Sequence, residues 1–157
     1  MNVLHVYPED EPMIVKSVDL LRGFADPTKG NGTPDIVHVH GCWKYSVVKK
    51  AMRAYKAGAR LVFTPHGGLE PWKVNEHRMT EKLSKTLLWQ KRLTECAYVV
   101  IAHGPIESGN LEKLNWNPRV ETIRNAVITN SITPEAIEKQ THIIYRKVMD
   151  SNTLELM

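Results

Sequence analysis

No apolar run in this sequence approaches the roughly 20 residues that a membrane-spanning helix needs, so no candidate span exists. The opening MNVLHVYPED joins a short apolar run to an acidic flank and does not read as a signal peptide. Cysteine is scarce: Cys42 and Cys96 stand far apart, which suggests reduced thiols in the cytoplasm rather than a disulfide framework. Neither the dinucleotide fingerprint G-x-G-x-x-G nor a Walker A loop occurs, so nicotinamide and P-loop chemistry have no support. Internal repeats and low-complexity segments are also missing.

Charge of one sign is in short supply too. The formal net charge is only +4. Part of that excess lies in residues 73–95, where Lys73, Arg78, Lys82, Lys85, Lys91 and Arg92 face Glu76, Glu81 and Glu95. A nucleic-acid binder would show a denser basic stripe with interleaved aromatics, so no nucleic-acid partner is expected. A solvated helix face is the plain reading of this stretch. Attraction to anionic lipid or to a phosphorylated ligand is the sharper one, with peripheral membrane contact as its consequence.

What the sequence does contain is an ordinary globular composition, 42% apolar and 24% charged over 157 residues. That length suits one domain able to bury about two-thirds of its unfolded surface. Strand-like runs alternate with helical patterns. NVLHVY (2–7) precedes a helix across 13–25, and the loop DPTKGNGTP (26–34) precedes the strand DIVHVH (35–40). Val47, Val48, Ala51, Met52 and Tyr55 then recur at helical spacing, and Gly58 stands where a C-terminal cap belongs. RLVFT (60–64) follows, then a long helical stretch to about Cys96 with Leu83, Leu87, Leu88 and Leu93 as its apolar side. YVVIA (98–102), a short helix over 105–114 and VETIR (120–124) come next. Thr133-Pro134-Glu135 opens a last helix that runs to about Asp150. This alternation predicts an α/β fold: a single Rossmann-like three-layer domain over 1–157, with a mostly parallel sheet of about five strands and helices on both faces.

In an open parallel sheet ligands bind outside the carboxyl ends of the strands. Three of those ends read His40-Gly41-Cys42-Trp43, Pro65-His66-Gly67-Gly68 and His103-Gly104-Pro105. One His-Gly pair is what any strand-to-helix turn might contain; three on one rim point to a site. His40, His66 and His103 could supply three imidazoles to a catalytic zinc. No neighbouring carboxylate supports such a centre, and His38, which shares a strand face with His40, should lie deeper, so no metal is expected. Cys42 as a nucleophile would need an adjacent base and a lowered pKa, and a buried or idle thiol is the better reading. Trp72 and Trp89 read as core or interface residues.

The series DIVHVHGCW, LVFTPHGGLEPW, a basic helix with Lys82, CAYVVIAHGPIE and VETIRNAV resembles the amino-terminal half of glycosyltransferase family 4, over about residues 34 to 130. The resemblance implies a retaining GT-B enzyme with a nucleotide sugar as co-substrate, no other cofactor, and a glycan or lipid-linked acceptor. It implies that His66 contacts the transferred sugar as the catalytic residue, with His40, Gly41, Trp43, Gly67, Gly68, Lys82, Glu107 and Asn125 binding substrate. Such enzymes carry a second, donor-binding domain with an E-x7-E pair. Nothing in 1–157 matches that pair, nor the early Gly-Gly turn of these relatives, and Asn125 is followed by Ala126 where they have glycine. Three readings therefore stand. The first is a glycosyltransferase or its acceptor-side domain, serving surface polysaccharide or glycan assembly in the cytoplasm, alone or paired with a partner domain or a second copy. The second is a non-catalytic sugar- or partner-binding module. The third is a metal-dependent hydrolase on the His40, His66 and His103 rim.

Overall fold

A computed structural model describes residues 1–22, 32–79, 81–125 and 132–155, without the side chains of 81–84 and 152–155. The elements run β1 (Val3–Val6), α1 (Pro12–Arg22), β2 (Ile36–His40), α2 (Tyr45–Lys56), β3 (Arg60–Thr64), α3 (Pro71–Met79), α4 (Glu81–Cys96), β4 (Val99–Ala102), α5 (Pro105–Leu114), β5 (Val120–Thr122) and α6 (Pro134–Glu155). The five strands form one sheet in sequence order, and every neighbouring pair is parallel. This is the Rossmann-like α/β arrangement that the alternation predicts.

Side chains alternate between the faces of a strand, and here the two faces have different work. Val37, Val39, Leu61, Phe63, Val100 and Ala102 point to one face, where they pack with Val47, Val48 and Ala51 of α2, Leu93 of α4 and Leu111 of α5. Val3, Ile36, Val62, Val99 and Ile101 point to the other, against Ile137, Ile144, Tyr145 and Val148 of α6. Both faces are covered, which explains why the central strands are apolar at nearly every position. The second face changes character along its length. Continuing by twos from Val3, Ile36, Val62 and Ile101 leads to His5, to His38 and His40, to Thr64 and His66, and to His103. The parallel register sets His5 beside His38 and His40 beside Thr64. One face of the sheet is thus aliphatic at its amino end and imidazole-rich at its carboxyl end.

Several elements differ from the expectation. The stretch after the His-Gly-Gly turn is described as two helices, α3 ending at Met79 and α4 starting at Glu81, with Thr80 outside the described residues. Leu88 is 67% exposed and does not belong to the apolar side that Leu87 and Leu93 form against the core. Trp72 is 61% exposed, its Nε1 donating to Glu70, so it is no core residue, whereas Trp89 packs on the core. The last helix continues to Glu155, past Asp150. The first ends at Arg22, and the rest of its expected span and most of the loop expected over 26–34 lie outside the described residues. Gly58 does close α2: at φ +111 its N–H reaches Tyr55 O, and the following Ala59 N–H reaches Ala54 O. No helix of the described residues is long and apolar enough to cross a membrane.

Candidate functional site

The carboxyl rim of the sheet is built from three loops, two of them in unusual backbone conformations. After β3, Gly68 N–H returns to Pro65 O at 3.1 Å, and the two central residues have positive φ, +53 at His66 and +75 at Gly67. Positive φ at both centres belongs to the primed turn class, where glycine is at ease and histidine is not. After β2, Gly41 (φ +82) and Trp43 (φ +65) also have positive φ, though not as adjacent residues of one turn. Non-glycine residues held in this region cost on the order of 1–3 kcal/mol and cluster at functional sites.

The surrounding packing holds these turns in place. A Cβ on Gly68 would lie 2.5 Å from Cys42 Sγ and 2.6 Å from Cys42 Cβ, so only glycine lets the two loops touch. Trp43 clamps them further: its Nε1 donates to Gly68 O at 2.7 Å, its backbone N–H donates to Gln90 Oε1 at 2.9 Å, and its ring stacks on His77 with centroids 3.8 Å apart. Glu107, in the first turn of α5, spans the third loop. Its two carboxylate oxygens accept from Gly67 N–H at 2.6 Å and from His103 N–H at 3.0 Å, which ties the β3 and β4 rims together. Lys73 Nζ donates to Gly67 O at 3.1 Å and brings an ammonium group to the turn.

Behind the turn the histidines join up. His5 Nδ1 meets His40 Nε2 at 3.0 Å, His40 Nδ1 meets His66 Nε2 at 3.1 Å, and His66 Nδ1 meets His103 Nε2 at 3.2 Å. His103 Nδ1 ends the series on the carbonyl of Ile123 at 2.9 Å. His38 stands to one side, stacked on His40 with centroids 4.0 Å apart and bonded to Tyr145 Oη and Thr64 Oγ1. His38 and His40 are fully buried, and burial, reinforced by the neighbouring imidazoles, holds both rings well below the ordinary histidine range. The same two causes lower His66 to about 3. These rings are neutral at physiological pH. Tyr145 is pushed up by burial and keeps its proton. Burial also raises the Cys42 thiol, whose Sγ points at Pro65 O, so this cysteine is idle as a nucleophile.

A cavity of about 30 Å³ lies under the rim, lined by His38, His40, Thr64, His66, His103 and Asn125 among others. It has room for one or two water molecules. Asn125 is buried at its edge, its Nδ2 donating to Ser17 Oγ at 3.2 Å. Of the residues singled out from the sequence, His66, Gly67, Gly68, Trp43 and Glu107 meet at the rim. His40 reaches it only through His66, and Gly41 sits against Ile14 and Pro8. The side chain of Lys82 lies outside the described residues.

His40, His66 and His103 do not surround a point. His66 uses opposite ring nitrogens for its two neighbours, so the three rings form a row. Among the described residues, the trio with converging nitrogens is His5, His38 and His40, all within 4.8 Å of one another. Both nitrogens of His38 and of His40 are already engaged in hydrogen bonds. Sequence reasoning passed over His5 and Tyr145. The signal for His5 was its place two residues after Val3, on the same face as His38 in the adjoining strand.

The family model described as Glycosyltransferase Family 4 matches residues 6–131, a span that takes in His40, His66, His103 and the loops that hold them. The chain belongs to glycosyltransferase family 4. No curated protein matches it. A glycosyltransferase domain must meet a sugar donor and an acceptor. His5 and α6 lie outside the matched span, although His5 and Tyr145 of α6 complete the imidazole cluster.

Proposed function

We propose that this chain forms the acceptor-side surface of a retaining glycosyltransferase that draws on a nucleotide-sugar donor, and that it serves the assembly of a surface polysaccharide or other glycan in the cytoplasm. The observation that supports this reading is the Pro65–Gly68 turn, which holds His66 at positive φ on the rim of a family 4 domain. Glycosyl transfer passes through an oxocarbenium-like state while the phosphate leaving group takes up negative charge. A neutral imidazole can orient the sugar without opposing the developing cation, and burial keeps His66 neutral. The Lys73 ammonium beside Gly67 supplies positive charge for the phosphates. Gly67 lets the ligand approach the backbone, Trp43 and Gly41 shape the acceptor side, and Lys82, Glu107 and Asn125 complete the substrate contacts. The 30 Å³ cavity is far too small for a hexose, so the sugar sits above the rim. The basic α3–α4 segment faces the acceptor, an anionic lipid surface or a partner domain.

One observation favours a second reading, a sugar-binding module without turnover: both ring nitrogens of His66 are already taken by neighbouring histidines. The two readings separate in one experiment, a panel of nucleotide sugars with glycan and lipid-linked acceptors, scored for binding by calorimetry and for transfer by product analysis. Transfer that falls at least 100-fold in His66→Ala supports the enzyme. Binding without product supports the module. A panel in which nothing binds and nothing turns over sinks both.

A further inference from the structure

We infer that His5, His40, His66 and His103 form one hydrogen-bonded chain with a fixed direction, in which His103 and His40 are positioning residues that hold His66 as its Nδ1–H tautomer and so make it a hydrogen-bond donor toward the rim.

The direction follows from the last link. A carbonyl oxygen can only accept, so His103 Nδ1 must donate to Ile123 O. A neutral imidazole has a single N–H, which leaves Nε2 of His103 as a lone pair. Nδ1 of His66 lies 3.2 Å from that lone pair and must supply the proton, leaving Nε2 of His66 as an acceptor. The same step repeats at 3.1 Å to His40 and at 3.0 Å to His5. Every N···N contact then holds one proton, and all four rings adopt the Nδ1–H form, the reverse of the tautomer that free histidine prefers. Reversing any one ring would leave two lone pairs, or two N–H groups, facing each other. Burial holds His40 and His66 neutral, below the usual histidine range; the count takes His5 and His103 as neutral as well, the state that the spectrum at pH 8 tests.

Exposure decides which link a ligand can open. His40 is 1% exposed and His5 7%, whereas His66 and His103 are only half-buried. A ligand arriving at the rim therefore competes with His103 for the Nδ1–H of His66 and leaves the buried bond to His40 intact. The group it must bring is an acceptor: a carbohydrate hydroxyl oxygen, or an oxygen of phosphate or carboxylate. Opening that link also frees the Nε2 lone pair of His103, so a hydroxyl, which both accepts and donates, can engage the two rings at once. That the acceptor belongs to a sugar rests on the glycosyltransferase reading; the tautomer does not.

Direct observation requires neither ligand nor turnover, so this inference and the glycosyltransferase reading fail separately. Protein labelled with ¹⁵N at histidine, at pH 8, gives long-range ¹H–¹⁵N correlations that distinguish a protonated ring nitrogen from one with a free lone pair. The expected spectrum has Nδ1 protonated and Nε2 unprotonated in His40, His66 and His103. A protonated Nε2 in His66 overturns the inference. His103→Phe removes the anchor on Ile123, and the His66 and His40 nitrogens should then move toward averaged shifts. Unchanged shifts in a folded His103→Phe also overturn it. Should that variant not fold, the wild-type spectrum decides alone.

Discussion

Acidification should destabilise this protein well above the pH at which its carboxylates titrate. Three rings, His38, His40 and His66, are buried in neutral form, with burial the leading cause in each case and neighbouring histidines the next. His66 is lowered to about 3. In the unfolded chain each ring returns to roughly 6.5. Because the folded value is the lower one, the unfolded state binds more protons below pH 6.5, and stability falls as pH falls through the window from about 6.5 to about 3. At pH 7.5 the effect is negligible. At pH 5.5 an unfolded imidazole is about ten-to-one protonated, which costs the folded state on the order of 1 kcal/mol per ring and a few kcal/mol for the three. That is a large share of the roughly 5–15 kcal/mol typical of a domain. Aspartates and glutamates, with unfolded values near 4, contribute little at pH 5.5. Urea unfolding followed by tryptophan fluorescence at constant ionic strength, at pH 7.5, 6.5 and 5.5, measures this directly. A stability that stays flat, or rises, between pH 7.5 and pH 5.5 would refute the neutral buried cluster.

Other substitutions test the loops that hold the rim. Gly68→Ala drives a Cβ into Cys42 and should cost about 1–3 kcal/mol by denaturant melting, with part of the loss recovered in the double variant that adds Cys42→Gly. Gly67→Ala, at φ +75, should cost about 1–2 kcal/mol without any steric clash, since the added Cβ meets only Glu70 and Glu107 at ordinary contact distance. Glu107→Ala strips the acceptor from the Gly67 and His103 amides and should lose about 1–3 kcal/mol, with faster amide exchange at those two residues as its signature. Asn117→Ala removes two bonds to the Thr94 and Ala97 carbonyls and one from Arg119 N–H; a melting loss of about 2–3 kcal/mol is expected, with the rim unaffected.

Much of the fold was legible because periodicity reports burial. The strands at 36–40, 60–64 and 99–102 are short, mainly apolar runs that end at or close before a glycine or proline, and the Thr133-Pro134 start of the last helix is local chemistry. Exposure of Leu88 depends on where α4 lies against the sheet, which spacing alone does not specify. At the site, the three His-Gly steps were visible as a rim, but their connection was not. His5 stands 33 residues before His38 in the chain and meets it only through the register of β1 on β2. Tyr145 reaches His38 from the far end of the chain. The role of Glu107 as a bracket between two backbone amides was equally hidden, because it depends on a turn that bends His66 and Gly67 into the left-handed region.

The most direct test of the central claim, that the rim around His66 is where the sugar goes, is a titration of histidine-labelled protein with nucleotide sugars and glycan acceptors, following the ring resonances of His66 and His103. The account predicts saturable shifts at both rings, with the deep His38 ring scarcely moved, and their loss in His66→Ala. Saturable binding that leaves His66 and His103 untouched would contradict it.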